Sequence, residues 1–144
     1  LARQDAGTLL KLNPATGAVD GEIQVCTPSS PIPSLVFDGE SVWAACADDG
    51  KVVRVRPEVV GVRTDLVTLT ATTGGRPVHL EFDGTTVWAA NQATGAFQQL
   101  NGKGQIAQSV LYPGAAQALL VRFDGQFLWG VVRDEFTRTV LVKF

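Results

Sequence analysis

The chain predicts an all-β fold built from repeated four-stranded antiparallel sheets, and three observations carry that expectation. A seven-residue phrase occurs three times: Phe37-Asp38-Gly39-Glu40-Ser41-Val42-Trp43, Phe82-Asp83-Gly84-Thr85-Thr86-Val87-Trp88 and Phe123-Asp124-Gly125-Gln126-Phe127-Leu128-Trp129. Its tryptophans are the three tryptophans of the 144-residue chain, and successive copies start 45 and then 41 residues apart. A period of that size points to a β-propeller, a solenoid or an array. Pro and Gly recur about every ten residues between short apolar runs without helical periodicity, as in all-β chains.

Each phrase reads as strand, tight turn, strand. Asp accepts a hydrogen bond from a turn N–H, and Gly supplies a backbone conformation with φ > 0. Asp-Gly between apolar runs is a strong hairpin signal. The repeated Asp38, Asp83 and Asp124 are therefore expected to be structural. So are Trp43, Trp88 and Trp129, read as packing between neighbouring sheets rather than as a ligand cage. Trp88, in the middle copy, is expected to be the most buried.

The remaining strands follow in order. Residues 1–6 show no pattern. Thr8 to Leu12 reads as a strand, Asn13-Pro14-Ala15-Thr16-Gly17 as a turn with Pro at its second position, and Ala18 to Val25 as a second strand. The same unit returns as Gly50 to Pro57 with Gly61 after it, and again as Gly95 to Gly104. Leu141-Val142-Lys143-Phe144 aligns with Leu9-Leu10-Lys11-Leu12. Four antiparallel strands in 41 to 45 residues is the dimension of a propeller blade. The chain thus reads as one β-propeller segment over 1–144: a half blade at 7–25, blades at 32–70 and 77–111, and a three-stranded partial blade at 118–144. That is a little over three blades, whereas closed rings usually need at least four. The expected partner is a second copy in a homo-dimer, or the remainder of a longer propeller chain.

Hydrophobic residues make up 45% and charged residues 18% of the chain, a globular composition. The net charge of −2 and the lack of a Lys/Arg cluster argue against nucleic acid or an anionic membrane as main partner. No apolar run is long enough to span a bilayer. There is no methionine and no signal peptide, so the chain is expected to be a mature or excised piece of something longer.

Chemistry-bearing residues are few. His79 is the single histidine and shares a strand face with Glu81, a possible acid/base pair on an innermost strand. One histidine is too few for the usual zinc sites, and no metal or cofactor is expected. Cys26 and Cys46 fall on one face of adjacent blades, as a disulfide or as two buried thiols. Asp48-Asp49-Gly50 lacks the other ligands of a calcium loop. Arg54, Arg56 and Arg63 are expected to solubilise an outer edge. Gly74-Gly75 has no helix after it to form a phosphate cradle. Loops between second and third strands share a face with the loops between blades. There they carry Asp48, Asp49, Arg76, Asn91, Gln92, Arg133, Asp134 and Glu135, a mixed-charge set suited to a protein or a small polar ligand.

The units Lys-Leu-Asn-Pro-Ala-Thr-Gly-Ala-Val and Val-x-Phe-Asp-Gly-x-x-Val-Trp-Ala-Ala-Asn resemble the bacterial propeller repeats of the YVTN and NHL type, including virginiamycin B lyase-like proteins. The resemblance covers residues 7–144 and implies a six- or seven-bladed ring, of which this chain holds about half, and a secreted or periplasmic setting. No motif here matches the lyase site, so no catalytic residue is carried over. Three functions follow as alternatives: a non-enzymatic scaffold or binding module, a lyase- or hydrolase-type enzyme using His79 and Glu81 with a divalent metal, or a structural segment of an extracellular assembly.

Overall fold

A computed structural model of the chain describes residues 1–3, 5–59 and 69–144. Gly61 and Arg63, and the stretch of the 32–70 blade that holds them, lie outside the described residues. The described chain forms four antiparallel sheets in sequence order. The first holds β1 (Ala2–Arg3), β2 (Thr8–Leu12) and β3 (Val19–Gln24). The second holds β4 (Leu35–Phe37), β5 (Val42–Cys46), β6 (Lys51–Val55) and β7 (Leu69–Thr72). The third holds β8 (Pro77–Phe82), β9 (Val87–Asn91), β10 (Ala96–Leu100) and β11 (Ile106–Leu111). The fourth holds β12 (Ala115–Phe123), β13 (Leu128–Asp134) and β14 (Thr139–Lys143). Every sheet is an up-and-down meander, so these are propeller blades. β1 falls in the patternless 1–6 segment. Two residues are too few to show periodicity, yet Ala2 pairs with Leu9 and Arg3 with Thr8.

The hairpins form where Asp-Gly places them. Gly39, Gly84 and Gly125 all sit near φ +95, at 97, 92 and 98°, which an L side chain rarely adopts. This fixes the register, with Trp43 opposite Arg54, Trp88 opposite Gln99 and Trp129 opposite Lys143. Along each second strand the side chains alternate, so Trp and the residue two further on face the next sheet.

The core consists of three seams between sheets. Leu9, Ile23 and Val25 pack on Ala44, Val53 and Val55. Trp43, Ala45 and Val52 pack on Leu80, Val87, Ala89 and Leu100. Trp88, Ala90 and Phe97 pack on Ala118, Val121, Leu128 and Val132. Each fully buried aliphatic side chain here contributes about 1.5–3 kcal/mol. In the last seam Phe97 stands where Val52 stands in the preceding one. The larger ring is accommodated because residue 130 is glycine: a Cβ there would overlap the Phe97 ring. Phe144 stacks on Phe97 at 4.9 Å between ring centroids and meets Trp88 edge-on at 5.6 Å.

The tryptophans differ from expectation in their order. Trp43 is 3% exposed and Trp88 5%, so the middle copy is not the most buried. Trp43 and Trp88 pack against the following sheet. Trp129, on the last sheet, has no such neighbour.

Cys26, just beyond β3, and Cys46, at the end of β5, form a disulfide with a Cα–Cα distance of 5.5 Å. It joins the first sheet to the second on the face where the two strand ends were expected to meet. Among the described residues, no helix is long and apolar enough to cross a membrane.

Candidate functional site

The two faces of the molecule have different polar architecture. The hairpin face carries three copies of one clasp. One oxygen of Asp38 accepts from the backbone N–H of Glu40 (2.9 Å) and Ser41 (2.6 Å), and the other accepts from Trp43 Nε1 at 2.6 Å. Asp83 does the same with Thr85, Thr86 and Trp88 Nε1 (2.8 Å). Asp124 does so with Gln126, Phe127 and Trp129 Nε1 (2.7 Å). Each carboxylate closes its turn and aims the indole five residues on, so the turn-capping role read from the sequence is present and the indole bond adds to it. Burial raises the pKa of Asp38 and Asp83, but the indole and backbone donors outweigh it and hold both below the ordinary carboxylate value. At Asp124 the Trp129 indole, then the backbone donors, lower it. The signal for this clasp was in the sequence: Asp and Trp stand five apart in all three phrases.

Arg54 lies over Trp43, 5.5 Å from the ring centroid, and Lys143 lies 5.7 Å from Trp129. Arg54 therefore packs on an interior strand between β5 and β7 rather than at an outer edge. It donates to Ser41 Oγ and pairs with Glu40, which also holds Arg56 at 2.7 Å.

The opposite face brings together three of the residues expected to meet a ligand. Arg76 enters from the segment joining the second and third sheets. Its Nε donates to Asp48 Oδ1 at 2.9 Å, and its Nη1 donates to Gln92 Oε1 at 2.7 Å. Asp48 comes from the β5–β6 loop and Gln92 from the β9–β10 loop, so one guanidinium spans two sheets. All three reach solvent.

Three other expected residues hold these loops. Asn91 is fully buried: its Oδ1 accepts from the backbone of Arg76, Ala93 and Thr94, and its Nδ2 donates to Thr73 O and Gln98 Oε1. Asp49 accepts from the backbone N–H of Thr27 at 2.8 Å and from its hydroxyl, and pairs with Lys51 at 3.1 Å. Burial raises its pKa, but the Thr27 donors and Lys51 carry it below the usual value. Asp134 accepts from the Phe136 and Arg138 backbones and ion-pairs with Arg138 at 2.7 Å. Burial opposes, and these donors outweigh it, so its pKa is also lowered. Arg133 is exposed on the fourth sheet beside Gln117, apart from the Arg76 cluster. Glu135 is exposed in the β13–β14 loop.

His79 and Glu81 occupy β8 as expected, but no hydrogen bond joins them among the described residues. Glu81 accepts from Arg122 Nη1 of β12 at 2.9 Å. His79 Nδ1 is buried with no hydrogen-bond partner among the described residues. Burial, then repulsion from Arg122, lowers the His79 pKa, with Glu81 opposing, so the imidazole is neutral at pH 7. The Ser34 hydroxyl, at the matching place in the second sheet, accepts from Leu80 N at 2.9 Å and ties two sheets together. The one cluster of metal-ligating types among the described residues is Cys26, Cys46 and Asp49, and both its sulfurs are committed to the disulfide. An apolar cavity of about 170 Å³ lined by Leu1, Leu9, Leu35, Val42, Val55 and Pro57 touches none of the polar candidates.

No protein-family model matches the chain. No curated protein matches it in sequence. Solved structures match its fold. Hydrazine synthase of Kuenenia stuttgartiensis superposes with a TM-score of 0.77 at 15% identity, over 98% of this chain and 40% of that one. Virginiamycin B lyase from Staphylococcus aureus gives 0.68 at 13%, over 96% and 49%. The β-propeller domain of Cps50 (Swd1) from Myceliophteria thermophila gives 0.72 at 11%, over 97% and 48%. The chain thus spans less than half of each, and at these identities the likeness is one of fold, a propeller architecture that serves unrelated activities.

Proposed function

We propose that this chain is a non-enzymatic β-propeller scaffold that binds a small polar ligand or a protein segment at the loop face around Arg76. The carrying observation is the exposed Asp48–Arg76–Gln92 bridge, assembled from three separate segments. An exposed ion pair contributes only about 0–1 kcal/mol. A ligand carboxylate can therefore replace Asp48 on Arg76, or a ligand cation replace Arg76 on Asp48, at small cost. Asn91 and Asp49 hold the loop backbones through several hydrogen bonds, so little ordering remains for binding to impose. The scaffold is completed by a second copy or by further blades of a longer chain. The Cys26–Cys46 bond supports a secreted or periplasmic setting, where disulfides persist.

The test is an NMR titration of the labelled protein with Gly-Asp and Gly-Arg peptides. Amides of residues 48, 76 and 92 are expected to shift with at least one peptide. Arg76→Ala should remove that response while leaving the melting temperature unchanged. Silence toward both peptides sinks the binding reading. Shifts confined to 79 and 81 would favour the enzyme reading instead.

A further inference from the structure

The repeat allows every seam position to be compared with its equivalents. Val52, Phe97 and Leu141 occupy one register position on the third strand, opposite Ala45, Ala90 and Val131. Val52 and Phe97 are 0% exposed, whereas Leu141 is 64% exposed. Trp129 and Val131 are half-buried where their counterparts are buried. The last sheet therefore presents Leu120, Trp129, Val131 and Leu141 on one side, a surface that the following sheet covers in both interior copies.

The first sheet presents the matching surface. Leu12 corresponds to Val55 and Leu100, which are buried against the preceding sheet, yet Leu12 is exposed. The charges differ in sign. The open side of the last sheet is rimmed by Arg133 and Lys143, while Arg122 is already paired with Glu81 of the third sheet. The open side of the first sheet carries Glu22, and Arg3 is held there between Glu22 (3.3 Å) and Asp5 (3.8 Å). An apolar stripe with a basic rim thus faces a complementary stripe with an acidic excess.

We infer that these two surfaces are the halves of one head-to-tail junction, and that the occupant is a second copy of this chain closing a two-chain ring. The inference deepens the scaffold reading by naming what completes it. What covers each interior tryptophan is a blade of this repeat, so a blade fits Trp129. The chain carries one uncovered surface of each kind, and it covers 48% of a solved propeller domain, so two copies hold the content of about one ring. A two-fold closure uses both surfaces of both chains and leaves no open stripe.

Light scattering and sedimentation of the purified chain test this, with circular dichroism confirming that each variant is folded. The wild type should have twice the 15.3 kDa chain mass. Leu141→Glu and Leu12→Glu alter exposed side chains on opposite ends of the chain. Each should raise the dissociation constant about a hundredfold or more, because a carboxylate must then be desolvated in an apolar seam. Mixing the two variants leaves one intact junction and should restore part of the dimer. Arg133→Glu, outside the apolar stripe, should weaken the dimer and reduce its salt dependence. A wild-type chain that stays monomeric at all concentrations overturns the inference. So does a dimer broken by Leu141→Glu but indifferent to Leu12→Glu, which would be tail-to-tail, and so does open-ended growth. Peptide titration at Arg76 is independent of mass: a monomer that still binds peptide refutes the ring and not the scaffold, and a dimer silent to peptide does the reverse.

Discussion

Breaking the Cys26–Cys46 bond should cost the protein about 3 kcal/mol, and the structure allows the figure to be worked. The cysteines are 20 residues apart in sequence. In the chain-entropy description, closing a loop of that length removes about 11 cal/mol/K from the unfolded ensemble, or roughly 3.3 kcal/mol at 25 °C. The bond crosses from the first sheet to the second, so it also opposes separation of the Leu9–Ile23–Val25 cluster from Val53 and Val55. Urea unfolding of the oxidised protein, and of protein unfolded, reduced and refolded under reductant, isolates the cross-link because both sulfurs stay in place. With a slope of about 2 kcal/mol/M, the midpoint should fall by about 1.6 M. Protein concentration must be held constant, since association adds to apparent stability. Cys26→Ala/Cys46→Ala should fall somewhat further, because both side chains are buried and their sulfur contacts are lost. A reduced protein whose midpoint moves by less than about 0.3 M would refute the reasoning, since it would mean that the bond barely restricts the unfolded chain.

Three further outcomes follow from the carboxylates and the histidine. Asp83→Ala leaves the Trp88 indole and two turn N–H groups without their acceptor in a seam and should cost about 2–4 kcal/mol by thermal unfolding, whereas Asp124→Ala, on the open sheet, should cost less because water replaces the carboxylate; the reverse order would refute the clasp as a seam element. The lowered pKa values of Asp38, Asp49 and Asp83 mean that their contribution is present above the unfolded carboxylate value of 3.8 and is lost as pH falls through the folded values, so the melting temperature should drop steeply below about pH 4. His79 has the same sign: favouring the neutral form in the fold, it should begin to destabilise as pH falls below 6.5, and His79→Gln should flatten that upper limb of the profile alone.

The blades were legible because their information is local. A strand, an Asp-Gly turn and a second strand lie within about a dozen residues, and the register follows from the turn. What lay outside that window was harder to read. Ala2–Arg3 is too short for a pattern and is placed only by its partner β2. The burial order of the tryptophans depends on which side of a sheet each ring occupies, and the repeat gives that side no label until one seam is seen. Asn91, Asp49 and Asp134 have the side chains of ligand contacts, but at strand ends the same groups accept from neighbouring backbone N–H, and composition does not distinguish the two uses. Asp48, Arg76 and Gln92 could be placed on one face from strand direction; their meeting depends on the path of the connection that carries Arg76. The disulfide was open for a related reason: a shared face permits a bond, and only the 5.5 Å separation makes it.

The clasp also bears on how such a chain can change its length during evolution. The carboxylate clasp of each hairpin, turn N–H groups and indole together, is complete within seven consecutive residues, so duplicating a unit carries the clasp whole. What passes between units is mainly packing shape, with a few polar ties such as Leu80 N–H to Ser34 and Arg122 to Glu81. The Phe97–Gly130 contact shows how one unit's enlargement is answered by its neighbour's loss of a methyl group. Gene duplication can therefore copy the clasp unchanged, and later point changes retune the volume and the few polar ties across a junction. Paired substitutions on facing sheets, one growing as the other shrinks, are the record such a history leaves.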